Sequence, residues 1–199
     1  MVAGTKGYAE EAAQLVSRYE AMPSAVKHRA VLHLIPSAPS KVIDIGAGTG
    51  ADAAWLAEMG HQVVAVEPTA ELRNPGMALH PAASIEWVDD SLPDLASLAP
   101  GRRFDLVMMT AVWMHLDERE RATAMPRVAS LVRPKGMLIM SLRHGPHAPG
   151  RHTFDVSAEQ TILLASESGL RCALNVRTES AGELNRRAGI TWSRLAFIL

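Results

Sequence analysis

The sequence lacks features that several classes of protein require. One cysteine, Cys172, among 199 residues excludes an internal disulfide and a cluster of thiolate metal ligands. The 20 Lys and Arg residues nearly balance the 21 Asp and Glu residues and are spread along the chain, so nothing demands a polyanion such as duplex DNA. No apolar run approaches the roughly 18 residues of a membrane span, and residues 1–14 contain no apolar core of signal-peptide length. We therefore expect a cytoplasmic protein that binds neither nucleic acid nor membrane.

Short apolar runs alternate with segments suited to helices along most of the chain. Runs typical of strands buried on both faces lie at residues 41–46, 61–68, 84–90, 104–112 and 136–142. Helices are expected over residues 51–59, 69–79, 92–98, 117–132 and 157–168. Two more, over residues 8–19 and 25–34, precede the first strand. Strands that alternate with helices predict a parallel sheet with right-handed crossovers.

The C-terminal segment departs from this alternation. Residues 171–180 and 190–199 are strand-like, and the roughly ten residues between them suit a hairpin better than a crossover, which needs a dozen or more. The sheet should therefore have seven strands, mostly parallel, with the last one antiparallel. The length predicts one α/β domain over residues 1–199, in which residues 1–39 are a helical cover and residues 40–199 the core.

A glycine-rich turn, "DIGAGTG", follows the first predicted strand. Read as Gly46, Gly48 and Ala51, it satisfies the dinucleotide pattern G-x-G-x-x-G/A, and Glu67 lies about 20 residues on, where a ribose-binding acid is expected. On the glycines alone, an enzyme that uses NAD is therefore a reasonable interpretation.

Four features weigh against NAD. Asp44 stands just before the turn, where it would repel a pyrophosphate and attract a cation. The pair Asp89 and Asp90 adds acids after the third strand, at the edge where open α/β sheets bind ligands. The chain is too short for the substrate domain that a nicotinamide enzyme usually adds, and it ends in a hairpin. The acidic edge suits a cationic ligand better.

The motifs and their order resemble those of class I S-adenosylmethionine-dependent methyltransferases, from about residue 40 to residue 199. The segments that carry the resemblance are "VIDIGAGTG", "VVAVEP", "WVDDSLPDL", "FDLVMMTAVWMHL" and "LVRPKGMLIMSL". The resemblance implies a Rossmann-like three-layer sandwich and S-adenosylmethionine as the cofactor, with S-adenosylhomocysteine as the product.

The resemblance also implies roles for particular residues. The turn holds the methionine part of the cofactor, the acid after the second strand takes both ribose hydroxyls, and an acid after the third binds the adenine amino group. These roles fall on Asp44, Gly46, Gly48 and Gly50, on Glu67, and on Asp89 or Asp90, with Thr110 beside the methionine moiety. "DDSLP" is one residue shorter than the G-D-A-x-x-L-P of many relatives, so the choice between the two aspartates stays open.

Two further residues are candidates for work on the methyl acceptor. A base is required only if the acceptor arrives protonated, and His115, in the loop after the fourth strand, is the candidate. Arg143 opens the loop "RHGPHAPGRH", where a forked guanidinium suits a carboxylate or phosphate. The histidines of this loop match no standard metal spacing, and no metal is expected. The hypothesis is a small, anionic acceptor methylated on oxygen, with nitrogen or sulfur left open.

Other functions within and outside this fold remain as alternatives. One is methylation of RNA or protein, and another is a cofactor-binding module that has lost its chemistry. Tyr8, Arg18 and Tyr19 lie in an N-terminal helix that closes over the site in relatives, although they equally suit a helix fixed on the sheet. The leading interpretation is a methyltransferase for a small molecule, active as a monomer or homodimer.

Overall fold

The computed structural model describes residue 5 and residues 7–82, 84–147 and 150–199. Residues 1–4 and 6, which belong to the segment examined for a signal peptide, lie outside the described residues. Residues 148 and 149, in the loop after the fifth strand, also lie outside them. Among the described helices, none is long and apolar enough to cross a membrane.

A seven-stranded sheet forms the centre of the fold. Its strands are β1 (Lys41–Ile45), β2 (Gln62–Val66), β3 (Ile85–Val88), β4 (Phe104–Thr110), β5 (Val132–His144), β6 (Arg171–Glu179) and β7 (Thr191–Ile198). They lie in the order β3-β2-β1-β4-β5-β7-β6. Strand β7 is antiparallel to both of its neighbours, whereas the pairs among β1 to β5 are parallel. The predicted mostly parallel sheet with an antiparallel last strand is confirmed.

Helices cover both faces of the sheet. They are α1 (Ala12–Glu20), α2 (Ser24–Lys27), α3 (Ala51–Glu58), α4 (Ala70–Leu79), α5 (Glu118–Leu131), α6 (Ala158–Glu167) and α7 (Glu183–Arg187). On one face, Leu56 of α3 packs with Val42 and Leu106. On the other, Val128 of α5 and Ala165 of α6 belong to the second apolar core. Because strands β1, β2 and β4 bury residues of both parities, the continuous apolar runs of the sequence are explained, and the three-layer arrangement is confirmed.

The helix predicted over residues 92–98 is wrong, because the segment forms turns. Two side chains supply the hydrogen bonds that a helix would have made for its backbone. The Asp90 carboxylate accepts from the backbone N–H groups of Ser91 and Ser97. The Arg127 guanidinium of α5 donates to carbonyls in the segment, those of Asp94, Leu95 and Leu98. Backbone groups that are satisfied in this way gain little from a helix.

The second N-terminal helix is also shorter than predicted. Instead of a helix over residues 25–34, the chain forms α2 and a single 3₁₀ turn, Leu32–Leu34. The hairpin between β6 and β7 is confirmed, and its connection contains the five-residue helix α7.

The turn after β1 requires glycine at position 50 for two reasons. Gly50 precedes α3 with a left-handed φ of 79°, where a side chain costs about 1–2 kcal/mol. A Cβ there would also lie 2.5 Å from Cη2 of Trp87 on β3. The glycine therefore lets α3 start close against the indole ring.

We predict that Gly50→Ala lowers the free energy of unfolding by about 1–3 kcal/mol more than Gly101→Ala does, because overpacking adds to the backbone strain. Gly101 is a matched control, since its φ is also 79° but no atom lies within 4 Å of the added Cβ. Urea unfolding monitored by circular dichroism gives both values. Equal losses in the two variants would contradict the packing role of Gly50.

Candidate functional site

A cavity of about 800 Å³ lies at the carboxyl ends of the central strands. Eight of the ten residues predicted from the sequence line it, namely Asp44, Gly46, Gly48, Glu67, Asp90, Thr110, His115 and Arg143. The two that do not are Gly50, which packs on Trp87, and Asp89. Most of the predicted residues are therefore brought together at one site.

Glu67 is held at the cavity wall by two backbone N–H groups. The N–H of Gly48 donates to Oε2 over 2.9 Å, and the N–H of Thr69 donates to Oε1 over 2.8 Å. The side chain is 6% exposed. Burial raises the pKa of Glu67, and the hydrogen bonds from Thr69 and Gly48 oppose that rise. The carboxylate thus joins the turns after β1 and β2, and its position is fixed before any ligand arrives.

Asp44 lies beside a buried ion network that the sequence did not reveal. In the first turn of α3, Asp52 binds Lys27 and His28 of the N-terminal segment at 2.8 Å each. Burial raises the pKa of Asp52, but His28 and Lys27 overcome that effect and hold the pKa below its usual range. Asp44 is 2% exposed and has no such partner among the described residues. Its burial, reinforced by the charge of Asp52, raises the pKa of Asp44 to about 8.

The two aspartates after β3 have different positions. Asp89 is exposed and its carboxylate binds Arg73 of α4 at 2.8 Å. Asp90 lines the cavity while its carboxylate accepts from two backbone N–H groups of the following turns. Of the pair, only Asp90 lies on the cavity wall among the described residues.

Cations lie on the opposite side of the cavity. Thr110, Ser141 and Arg194 are register partners across β4, β5 and β7, so they share one face of the sheet. Arg143 and Trp192 are the next such pair along β5 and β7, and both line the cavity. The Arg143 guanidinium donates to the carbonyl of Pro146 over 2.6 Å. The cavity therefore has an acidic end at β1 and β2 and a basic end at β5 and β7.

His115 is held between the core and the N-terminal segment. Its Nδ1 lies 2.9 Å from the carbonyl of His152, and its Nε2 lies 2.9 Å from the hydroxyl of Tyr8. Burial lowers the pKa of His115, which favours the neutral ring. Because a carbonyl only accepts, the proton is on Nδ1, and Nε2 accepts from Tyr8. The cap of α5 is Asp117, whose carboxylate accepts from the N–H of Glu120, so His115 does not cap that helix.

Neither His144, at the end of β5, nor His147, in the loop that follows, lines the cavity. His144 Nε2 lies 2.9 Å from the Ser193 hydroxyl, and His147 Nδ1 lies 2.6 Å from that of Thr153. In the part of the chain that the structure describes, no group of His, Cys, Asp or Glu side chains is arranged to hold a metal ion.

Sequence reasoning missed several residues of the cavity wall. Lys27, Asp52, Trp192 and Arg194 all line it. Asp52 could have been recognised from the sequence as an acid in the first turn of the helix that follows the glycine turn. Arg194 was harder to recognise from the sequence, as a charged residue directly before the apolar run "LAFIL".

Comparisons with known proteins agree with this geometry. Residues 42–136 match the family described as "Methyltransferase domain". An uncharacterized methyltransferase of Mycobacterium bovis is 32% identical over 124 residues, which make up 62% of this chain and 48% of that protein. The chain thus spans about half the length of this protein and of two related curated methyltransferases from Mycobacterium tuberculosis.

Two solved structures share the fold. The TehB-like SAM-dependent methyltransferase of Corynebacterium glutamicum has a TM-score of 0.71 and 18% identity, covering 95% of this chain and 98% of its own. The 1,6-didemethyltoxoflavin-N1-methyltransferase of Burkholderia thailandensis, with bound 1,6-didemethyltoxoflavin and S-adenosylhomocysteine, has a TM-score of 0.71 and 21% identity, covering 94% and 88%. Together, the comparisons match a methyltransferase domain over residues 42–136 and the fold of S-adenosylmethionine-dependent methyltransferases over most of the chain. The resemblance found in the sequence is confirmed.

The raised pKa of Asp44 predicts a pH-dependent stability. Its folded pKa, about 8, exceeds the unfolded value of about 3.9, so its stabilising effect is complete below pH 4 and is lost as the pH rises through 8. Between pH 5 and pH 8, wild type should lose about 4 kcal/mol relative to Asp44→Asn, which cannot ionise. Chemical unfolding across this pH range measures the difference. Asp155→Asn, at a fully exposed carboxylate, should follow wild type, and parallel curves for all three proteins would contradict the assignment.

Proposed function

We propose that the acidic end of the cavity binds S-adenosylmethionine and that the enzyme transfers its methyl group to a small molecule bound at the basic end. The observation that carries the proposal is the fixed Glu67 carboxylate, which accepts from the N–H groups of Gly48 and Thr69. A carboxylate offers about four lone-pair positions, more than these two backbone groups occupy, so it can also accept from ribose hydroxyls. Such charge-assisted hydrogen bonds are stronger than neutral ones.

The remaining contacts of the cofactor follow from this position. Asp44, together with Gly46 and Gly48 of the turn, lies where the methionine part would be, and a bound ammonium group would favour the ionised form of its carboxyl group. Thr110 ends the neighbouring strand β4 on the same side. We assign the adenine amino group to Asp90 in preference to Asp89, because Asp90 is on the cavity wall and Asp89 is engaged outside it by Arg73.

The basic end suits an anionic acceptor. Arg143 and Arg194 line it, and His115 lies between them and the N-terminal segment. Methyl transfer from a sulfonium chiefly requires in-line alignment and the exclusion of water. If the acceptor is a hydroxyl, Nε2 of His115 is a base that becomes available once the acceptor replaces the Tyr8 hydroxyl. We therefore infer O-methylation, for which S-adenosylmethionine would supply the methyl group and leave as S-adenosylhomocysteine, while His115 would accept the proton of the acceptor hydroxyl.

The N-terminal segment supports a small acceptor over RNA or protein. Tyr8 contacts His115, the ring of Tyr19 lies next to Gly48, and Thr49 donates to the Glu20 carboxylate. These contacts cover the cavity, which limits the access of a macromolecule. They also lead us to infer that residues 1–39 and the core act as one domain.

Calorimetric titration tests the cofactor assignment. We expect saturable binding of S-adenosylmethionine and S-adenosylhomocysteine and no binding of NAD. Glu67→Ala should weaken binding at least about 100-fold, because two charge-assisted hydrogen bonds are lost. Glu86→Ala is a matched control, since the exposed Glu86 lies on the neighbouring β3 and pairs with Arg102. NAD binding by wild type, or equal affinities in Glu67→Ala and wild type, would refute the assignment.

A methyl-transfer screen tests the chemistry. Labelled S-adenosylmethionine is incubated with extracted metabolites and, separately, with RNA and protein fractions, and the methylated species are identified by mass spectrometry. We expect label in small anionic molecules, and we expect His115→Gln to lower kcat about 10²- to 10⁴-fold with cofactor affinity unchanged. His147→Gln, outside the cavity wall, should have the activity of wild type. Label in RNA or protein alone would refute the small-molecule assignment, and full activity of His115→Gln would exclude it as the base.

A further inference from the structure

Arg194 is a buried cation that forms no ion pair with the described residues. It lies on β7, lines the cavity and is 6% exposed. In the described part of the chain, its guanidinium makes no hydrogen bond or ion pair, and its ring neighbour is Trp192, with Cζ 5.5 Å from the ring centroid. Three other cations of the cavity are engaged, and a fourth, Arg18 of α1, is exposed to solvent. Arg151 binds Glu11, Lys27 binds Asp52, and Arg143 donates to the carbonyl of Pro146.

An unpaired buried charge is costly to a protein. Removing a guanidinium from water without a compensating partner opposes folding, and such groups are normally paired. The nearby acid, Asp52, is already bound by Lys27 and His28. The partner of Arg194 is therefore not supplied by the described residues, and its position on the cavity wall indicates that a ligand supplies it.

The geometry points to a carboxylate subsite at Arg194 for the methyl acceptor. We propose that the Arg194 guanidinium binds the acceptor's carboxylate in forked geometry while Trp192 contacts its apolar part. This rests on the proposed function and narrows its substrate class to small carboxylic acids. The register places Ser141 between Thr110 and Arg194, so an acceptor held by Arg194 extends across β5 toward the end of β4.

The cofactor's own carboxylate is the competing source of the same chemistry. It is disfavoured because β5 and β4 separate β7 from β1, which carries the glycine turn. Lys27, bound to Asp52 in the first turn of α3, is a cation on the β1 side. A carboxylate attached to methionine at the turn therefore has Lys27 as a cation on its own side of the sheet.

The test compares carboxylates with their uncharged amides. Benzoate and phenylacetate, with benzamide and phenylacetamide as matched probes, are titrated by ligand-observed NMR against wild type, Arg194→Met, Arg194→Lys and Arg177→Met. Each titration is run with and without saturating S-adenosylhomocysteine. We expect at least one carboxylate to bind wild type about 10-fold or more tightly than its amide. Arg194→Met should abolish this preference and Arg194→Lys should keep part of it, whereas Arg177→Met, at an exposed arginine on β6, should retain it fully.

Two further measurements separate the alternatives. Affinities for S-adenosylhomocysteine and for 5′-methylthioadenosine, which lacks the amino-acid part, should be unchanged in Arg194→Met. Because this substitution removes an unpaired buried charge, the melting temperature of the ligand-free variant should equal or exceed that of wild type. A melting temperature several degrees lower would indicate a structural role and overturn the proposal.

Other results would also overturn it. Loss of S-adenosylhomocysteine affinity in Arg194→Met, with methylthioadenosine binding intact, would assign Arg194 to the cofactor. Absence of a carboxylate preference in wild type, or its persistence in Arg194→Met, would remove the subsite. If wild type does not bind S-adenosylhomocysteine, the proposed cofactor fails, and the titrations without it still decide whether Arg194 binds carboxylates.

Discussion

The Glu67 carboxylate and the two backbone N–H groups that hold it are the constraint on which the site depends. One N–H belongs to Gly48 in the turn after β1, and the other to Thr69 in the turn after β2. A buried carboxylate in this position satisfies two donors at strand ends and leaves lone pairs toward the cavity. The same interaction therefore shapes the glycine turn and orients the acid that is expected to bind ribose.

Charge is divided within the one cavity. Asp44, Glu67 and Asp90 are at the β1 to β3 side, and Arg143 and Arg194 are at the β5 and β7 side. The antiparallel β7 makes this division possible, because it brings residues 192 and 194 beside the carboxyl end of β5. A cationic sulfonium donor and an anionic acceptor would each meet complementary charge, and their reacting atoms would meet near Thr110, between the two ends.

The parts of the fold that could be predicted from sequence are those that depend on local patterns. Apolar runs identified the strands of the sheet, and the turn "DIGAGTG" with Glu67 placed the acidic end of the cavity. The helix over residues 92–98 failed because Asp90 and Arg127 satisfy that backbone, and Arg127 lies about 30 residues away. Arg194 and the Tyr8 contact of His115 depend on pairing across long sequence separations. Contacts between residues so far apart leave no periodic pattern in the sequence.

A crystal structure of the complex with S-adenosylhomocysteine tests the divided cavity most directly. If the acidic end binds the cofactor, both ribose hydroxyls should lie within roughly 2.6–3.2 Å of the Glu67 carboxylate, and the adenine should lie next to Asp90. The thioether sulfur should lie near Thr110, and the space beside Arg194 should stay free of cofactor. A cofactor whose adenosine lies against Arg143 and Arg194, with Glu67 uncontacted, would contradict the division of the cavity.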